Sequence, residues 1–448
     1  MASREQFSSK FGFIMAAAGS AIGLGNIWGF PTQTASNGGA AFVVVYFMMA
    51  FALAYPALMA ELIIGRHSKS NILTALRGIA PNQASRILGT GVGIYGVIIA
   101  SLILSFYGIV AGWMLCYLAE SVTSLLGWDS ASQWLVSFGN ERNIISMGIF
   151  MLLTMYIIAN GISGGIEKWS TRLMPMLMVI LAGLIIYVMT QPGAGEGLRV
   201  YLLPDFSQLK PSLFVDAMGQ AFFSLSLGVG TMLVYGSYLS NKESLPRLGV
   251  MVTLVDSGTA FVAGLLIIPA IYVAKQYGAN IFTEAGDLIA GPDLIFQVLP
   301  TLFESMGAIG MWVALAFFIL MSIASLTSSI SMLEVPVSLA VEETSFSRRQ
   351  ATLVIGTLIF GCSTVILFNF GTLFDFVINL TTVYSQPLLG LMLCVFAGWI
   401  WHRDNLLQEI KAGHPEIEGT FFWKVWPNYV KFVCPLLVLT TLIQSIGG

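Results

Sequence analysis

Charge is what this chain has least of. Only 10% of its 448 residues are Asp, Glu, Lys or Arg, where an average soluble domain carries roughly 25%. With 56% hydrophobic residues, the apolar surface is more than a single aqueous core could bury, so the expected solvent is a lipid bilayer. Cysteine is scarce as well. Cys116, Cys362, Cys394 and Cys434 lie far apart inside apolar runs with no CxxC pair, which reads as small buried hydrophobes and not as a metal or disulfide framework. The three histidines, His67, His402 and His414, fall in polar connectors. Without a Ser/His/Asp set or a pair of carboxylates, an enzyme is not expected. The formal charge of −3 says nothing about nucleic acid, no basic cluster suggests it, and no nucleic-acid partner is expected.

What is present is a series of apolar runs near the roughly 20 residues a membrane helix needs. They cover 11–36, 40–65, 88–122, 143–160, 172–190, 212–238, 247–274, 308–341, 350–369, 373–401 and 425–446, eleven in all. The first begins like a cleavable signal peptide, but Asn26 and further glycines follow and more spans come at once, so it reads as a retained span. The stretch 276–305 is broken by Asn280, Glu284, Asp287, Pro292, Asp293 and Pro300 and is expected to be a structured loop with short helices. If the N-terminus is cytoplasmic, sixteen of the twenty Lys and Arg residues lie inside, and only Arg142, Arg199, Lys210 and Lys275 lie outside. That asymmetry predicts a cytoplasmic N-terminus and an external C-terminus in the cell membrane. No polar domain is expected at either end, and no obligate protein partner is evident.

Two spans break the rule that a lipid-embedded helix be apolar and continuous. The first reads Gly19-Ser20-Ala21-Ile22-Gly23-Leu24-Gly25-Asn26, and the sixth runs from Gln220 through Ser224 and Ser226 to Gly228 and Gly230. Either could be close packing of small residues. Because each opens a set of five spans, they also read as interrupted helices heading the two halves, 11–190 and 212–401, of an inverted repeat, with 425–446 as an extra helix. Amides and carbonyls freed at such breaks bind anionic groups and cations near the bilayer midplane. In span 8, Ser322, Ser325, Thr327, Ser328, Ser329 and Ser331 put six hydroxyls within ten residues. Back-bonding to the helix is one reading; a hard-cation site is the other, and six hydroxyls are more than back-bonding is expected to need.

Gly23-Leu24-Gly25-Asn26-Ile27-Trp28-Gly29-Phe30-Pro31 followed by Asn37-Gly38-Gly39-Ala40-Ala41-Phe42 closely resembles the first-helix signature of the neurotransmitter:sodium symporters. The likeness continues through Tyr107 with Trp113, Gln220 to Gly228, and Ala324 to Ser329, over nearly the whole chain. Eleven spans are similar to the bacterial amino-acid branch. The resemblance implies an all-α membrane protein of the 5+5 inverted-repeat fold with helices 1 and 6 interrupted. It also implies two sodium sites: the first from the Ala21 carbonyl, Asn26, Ser224, Asp256 and the substrate carboxylate; the second from the carbonyls of Gly19, Ile22 and Ala324 with the hydroxyls of Thr327 and Ser328. The substrate carboxylate would meet the amides of Leu24 and Gly25 and the Tyr107 hydroxyl, and its amine the carbonyls of Phe223 and Ser226. Ile103, Tyr107, Phe223, Val229, Ser328 and Met332 would line the side-chain pocket. None is charged, so an ionised side chain would be stranded there. Gly23 stands where monoamine carriers place an Asp, which implies amino acids as substrates.

The resemblance also implies an inner gate of Arg4 and Glu342 with Phe7 and Tyr238 beside it, and, in span 5, Gly165 and Pro175 as a kink or a hinge. Two positions depart from the family pattern. Gly29 replaces an arginine that usually pairs with an Asp matched here by Asp375. Asp256 replaces an Asn near the anion site of chloride-dependent members, so no chloride requirement is expected, although Tyr46, Gln220 and Ser224 match chloride-site positions. The expected function is sodium-coupled symport of hydrophobic L-amino acids. A proton-coupled carrier using Asp256 and a nontransporting sensor are the alternatives.

Overall fold

A computed structural model describes residues 4–282, 288 and 294–447. Among them, nine helices are long and apolar enough to cross a membrane. A tenth crossing is the bent pair Lys10–Ala21 and Gly25–Ser36, whose halves meet at 54°. The remaining expected span, 212–238, is two helices, Pro211–Ser224 and Thr231–Ser237, neither long enough to cross alone. The protein is therefore an all-helical, multi-pass membrane protein.

Several helices outrun their apolar runs. Span 3 extends over Gln83–Leu125 and span 8 over Ala308–Glu343; these two pack along one another through the middle of the molecule. Span 3 starts at Asn82, whose side chain accepts the Ser85 amide, and span 9 starts at a Ser347–Gln350 capping box. Capping lets polar residues extend a helix past the lipid-soluble stretch. Connectors also fold into short helices, among them Ile72–Ile79, Asp129–Val136, Ala194–Leu202 and Arg403–Gly413. Of the loop expected over 276–305, residues 294–305 form a short apolar helix. Glu284, Asp287, Pro292 and Asp293 lie outside the described residues.

The two breaks have different local causes. In span 1 the helix stops at Ile22, whose extended backbone (φ −77°, ψ 92°) takes its carbonyl out of the helical ladder, and resumes as a wide turn at Gly25–Gly29. In span 6 the six residues 225–230 hold three positive φ angles, at Ser226 (52°), Gly228 (82°) and Gly230 (80°). Glycine adopts these without strain. A side chain at Gly228 would stand 2.2 Å from the Gln386 carbonyl oxygen, so span 10 packs directly on the break. The amide nitrogens freed there find a buried acid: Gly228 donates to Glu61 Oε1 at 2.7 Å and Leu233 to Oε2 at 3.3 Å. Such satisfaction is obligatory where water is absent.

Candidate functional site: a cavity between two broken helices

All ten residues expected around a substrate, Ala21, Leu24, Gly25, Ile103, Tyr107, Phe223, Ser226, Val229, Ser328 and Met332, line one cavity, and Ser20, Gly23 and Gln386 complete its wall. Spans 1 and 6 meet there. Ser226 Oγ donates to the Ser20 carbonyl at 2.9 Å, and the Leu24 amide reaches the Tyr107 hydroxyl at 3.5 Å. A Cβ on Gly23 would lie 2.3 Å from Ser328 Oγ and 3.1 Å from the Tyr107 hydroxyl, so only glycine leaves room.

Beside the cavity, three residues expected at the first ion site form one buried cluster. Asn26 Nδ2 donates to Asp256 Oδ1 at 2.7 Å, and Ser224 Oγ donates to both Asp256 oxygens at 3.0 Å. Tyr46 adds its hydroxyl at 3.3 Å from Ser224 and 3.5 Å from Asp256. Asn26, Asp256 and Tyr46 are fully buried. Ala21 reaches the same region as part of the cavity wall.

The hydroxyl-rich turn of span 8 corrects the sequence reading in part. Ser325, Thr327, Ser329 and Ser331 bond back to carbonyls of their own helix, so most of the six hydroxyls need no ion. Ser328 instead reaches across to the carbonyls of Gly19 (3.3 Å) and Ser20 (3.2 Å), and Ser331 also accepts from the Ser20 hydroxyl at 2.7 Å. Thr327 also donates to the Ala324 carbonyl at 3.1 Å, and a Cβ on Gly19 would touch Thr327 Cβ at 3.1 Å. Gly19, Ala324, Thr327 and Ser328 thus gather oxygens where spans 1 and 8 meet, and the buried Ile22 lies at the end of that helix. Among the described residues, no group of three or more His, Cys, Asp and Glu side chains is placed to hold a metal ion. An all-oxygen set of hydroxyls and carbonyls suits a hard monovalent cation, not a transition metal.

The two ends of the cavity differ. Toward Arg4 the path is shut. Arg4 pairs with Glu342, donates to Ser237 at 2.7 Å and lies over the Tyr238 ring at 4.5 Å. Phe7 packs edge-on against Phe13, Tyr235 and Tyr238. Two further residues, passed over in the sequence, complete this closure: Tyr238 donates to the buried Glu334 at 2.6 Å, and Glu334 pairs with Arg348. Acids inside an apolar run were the signal. At the other end a wider vestibule opens above Tyr107 and Phe223, which line both spaces. Gly29 and Asp375 both border it together with Asp216, and among the described residues no Lys or Arg does.

In span 5 the irregular backbone sits at Gly165, inside a wide turn at Ile162–Glu167 that follows Gly161 (φ 85°). Pro175 lies within the uninterrupted helix Lys168–Met189. Glu167, which ends that turn, accepts hydrogen bonds from the amides and hydroxyls of both Ser8 and Ser9, at 2.7–3.2 Å. The turn is thereby tied to the start of span 1.

Discontinuous helices meeting at a buried cavity of an all-helical membrane protein define a secondary transporter. The particular kind is given by similarity over the whole chain. Residues 4–145 and 138–447 match the sodium:neurotransmitter symporter family. An uncharacterized sodium-dependent transporter of Bacillus subtilis, YhdH, is 32% identical over 99% of this chain and 98% of its own. One from Haemophilus influenzae is also 32% identical, over the same shares. The crystal structure of MhsT in complex with L-phenylalanine superimposes with a TM-score of 0.85 at 36% identity, covering 99% of this chain and 100% of that one. The chain belongs to the sodium:neurotransmitter symporter family, and it is a sodium-dependent transporter.

Proposed function

We propose that the protein carries hydrophobic L-amino acids into the cell by symport with sodium bound at two sites, through alternating access. One observation supports this above the rest: the cavity has peptide groups of a broken helix at Leu24 and Gly25 on one wall and the uncharged Ile103, Val229 and Met332 on another. A zwitterion's charged groups find partners at the helix breaks, and an apolar side chain finds the remainder. The phenylalanine held by MhsT is consistent in kind. In this reading Asn26, Ser224, Asp256 and the Ala21 carbonyl hold the first sodium with the substrate carboxylate. Gly19, Ile22, Ala324, Thr327 and Ser328 hold the second. The Arg4 end is cytoplasmic and closed, and the vestibule faces outside. Asp256 supplies the fixed negative charge that makes chloride dispensable.

The test is uptake of labelled leucine, phenylalanine and tryptophan into proteoliposomes with and without an inward sodium gradient. Uptake that persists in choline and collapses with the pH gradient would overturn sodium coupling in favour of proton coupling at Asp256.

A further inference from the structure

Among the described residues, one buried polar side chain of the cavity wall has no hydrogen-bond partner, and neither the ion sites nor the contacts proposed for an amino acid's charged groups use it. Gln386 begins the helix Gln386–Val395 of span 10, is 3% exposed and forms part of the cavity wall. Its Oε1 is buried without a hydrogen-bond partner. Buried amide oxygens are nearly always paired, because an unpaired one forfeits its hydration. Gln386 is held firmly in place. Its backbone carbonyl packs onto Gly228 of the span 6 break, closer than any side chain there would permit. This contact puts Gln386 next to Val229, on the side of the cavity assigned to the substrate side chain.

We infer that Gln386 is a specificity-determining residue whose amide oxygen accepts a hydrogen bond from a donor on the substrate side chain. The inference rests on the proposed binding of hydrophobic amino acids in this cavity. It selects among them those with an N–H or O–H on an aromatic ring, tryptophan foremost. The indole N–H is a donor only and needs an acceptor when buried, while the rest of the ring system is apolar and suits Ile103, Val229 and Met332. Leucine or phenylalanine leaves Oε1 unpaired. A site with a buried polar group discriminates against the analogue lacking its partner far more strongly than an apolar wall senses one methylene.

The test measures sodium-dependent binding to the purified full-length transporter by competition with labelled leucine. L-tryptophan is compared with 3-(benzothiophen-3-yl)-L-alanine, which keeps the shape and replaces N–H by sulfur. Tryptophan is expected to bind about tenfold more tightly, and Gln386→Leu should bring the ratio close to one while leucine still binds. If that variant does not fold, Gln386→Met, of equal length and without a strong acceptor, takes its place. A ratio near one in the wild type overturns the inference with no variant needed. A ratio that survives in a leucine-binding variant also overturns it. Failure of the wild type to bind leucine, tryptophan and the analogue alike overturns the hydrophobic-amino-acid reading itself.

Discussion

Asn26 of span 1 and Asp256 of span 7 are joined side chain to side chain at 2.7 Å, and the Asn26 amide also reaches the Asp256 carbonyl at 3.2 Å. The two bonds fasten the broken segment of span 1 to a continuous helix. Under the proposed first sodium site, they occupy oxygens that the cation would share, which would link ion binding to the position of the break.

Replacing Asp256 by Asn removes a fixed charge and retains one oxygen. Sodium affinity should fall by about tenfold or more, the scale of a lost hydrogen bond to a charged group. Wild-type uptake should be equal in chloride and gluconate, and the variant should become sensitive to the anion, because Tyr46 and Ser224 remain close together. Uptake assays in both anions check this. Wild-type transport that stops in gluconate contradicts it.

Thr327→Val combined with Ser328→Ala should abolish sodium-driven uptake in a folded protein. Both hydroxyls are buried, and Ser328 bridges to span 1. Because Thr327 bonds back to its own helix, Ser328→Ala alone should weaken the contact between spans 1 and 8 more than Thr327→Val alone. Sodium titration of substrate binding in the three variants distinguishes them.

Gly23→Asp should lower amino-acid affinity at least tenfold. Its Cβ would overlap Ser328 Oγ, and its carboxylate would face that of the substrate, where like charges repel. Gly23→Ala, which brings only the overlap, should be milder. Equal binding of leucine by wild type and Gly23→Asp places the substrate elsewhere.

Pro175→Ala restores a helical hydrogen bond within Lys168–Met189. Turnover should slow more than affinity changes, as measured on one preparation. Reduced affinity with unchanged turnover would mean that the proline shapes the outward site and not the opening step.

Arg4→Ala removes the pairing with Glu342, the bond to Ser237 and the contact with the Tyr238 ring together. The closed end should then open. A cysteine placed near Phe7 should react with a membrane-impermeant thiol reagent from the cytoplasmic side several times faster than in the background with Arg4 present. Unchanged reactivity would show that the aromatic packing around Phe7 closes this end unaided.

Much of the site was legible because it is made of backbone. Glycines clustered in spans 1 and 6 announce interruptions wherever the surrounding sequence demands a membrane helix, since lipid offers free peptide groups no alternative partner. The hydroxyls of span 8 misled in number, because a serine bonded to its own helix and a serine aimed at a neighbour are the same letter. Gln386 and Glu334 were passed over for different reasons: Gln386 ends a polar stretch that begins at Asn379 and does not stand out from it, and Glu334 is a single acid whose partners lie far away in the chain.

By itself, the sequence determined that the chain lives in a bilayer, where its apolar segments lie and which two break, because hydrophobic length and glycine content act locally and leave few solutions in lipid. Only the tertiary structure decided what the breaks enclose. Which of the six hydroxyls meet span 1, which acid receives the freed amides of span 6 and which glutamine faces the cavity depend on the rotation of each helix about its axis. That rotation is set by packing between residues far apart in the chain, such as Gly228 against Gln386 or Gly19 against Thr327, and no local pattern in the chain encodes it.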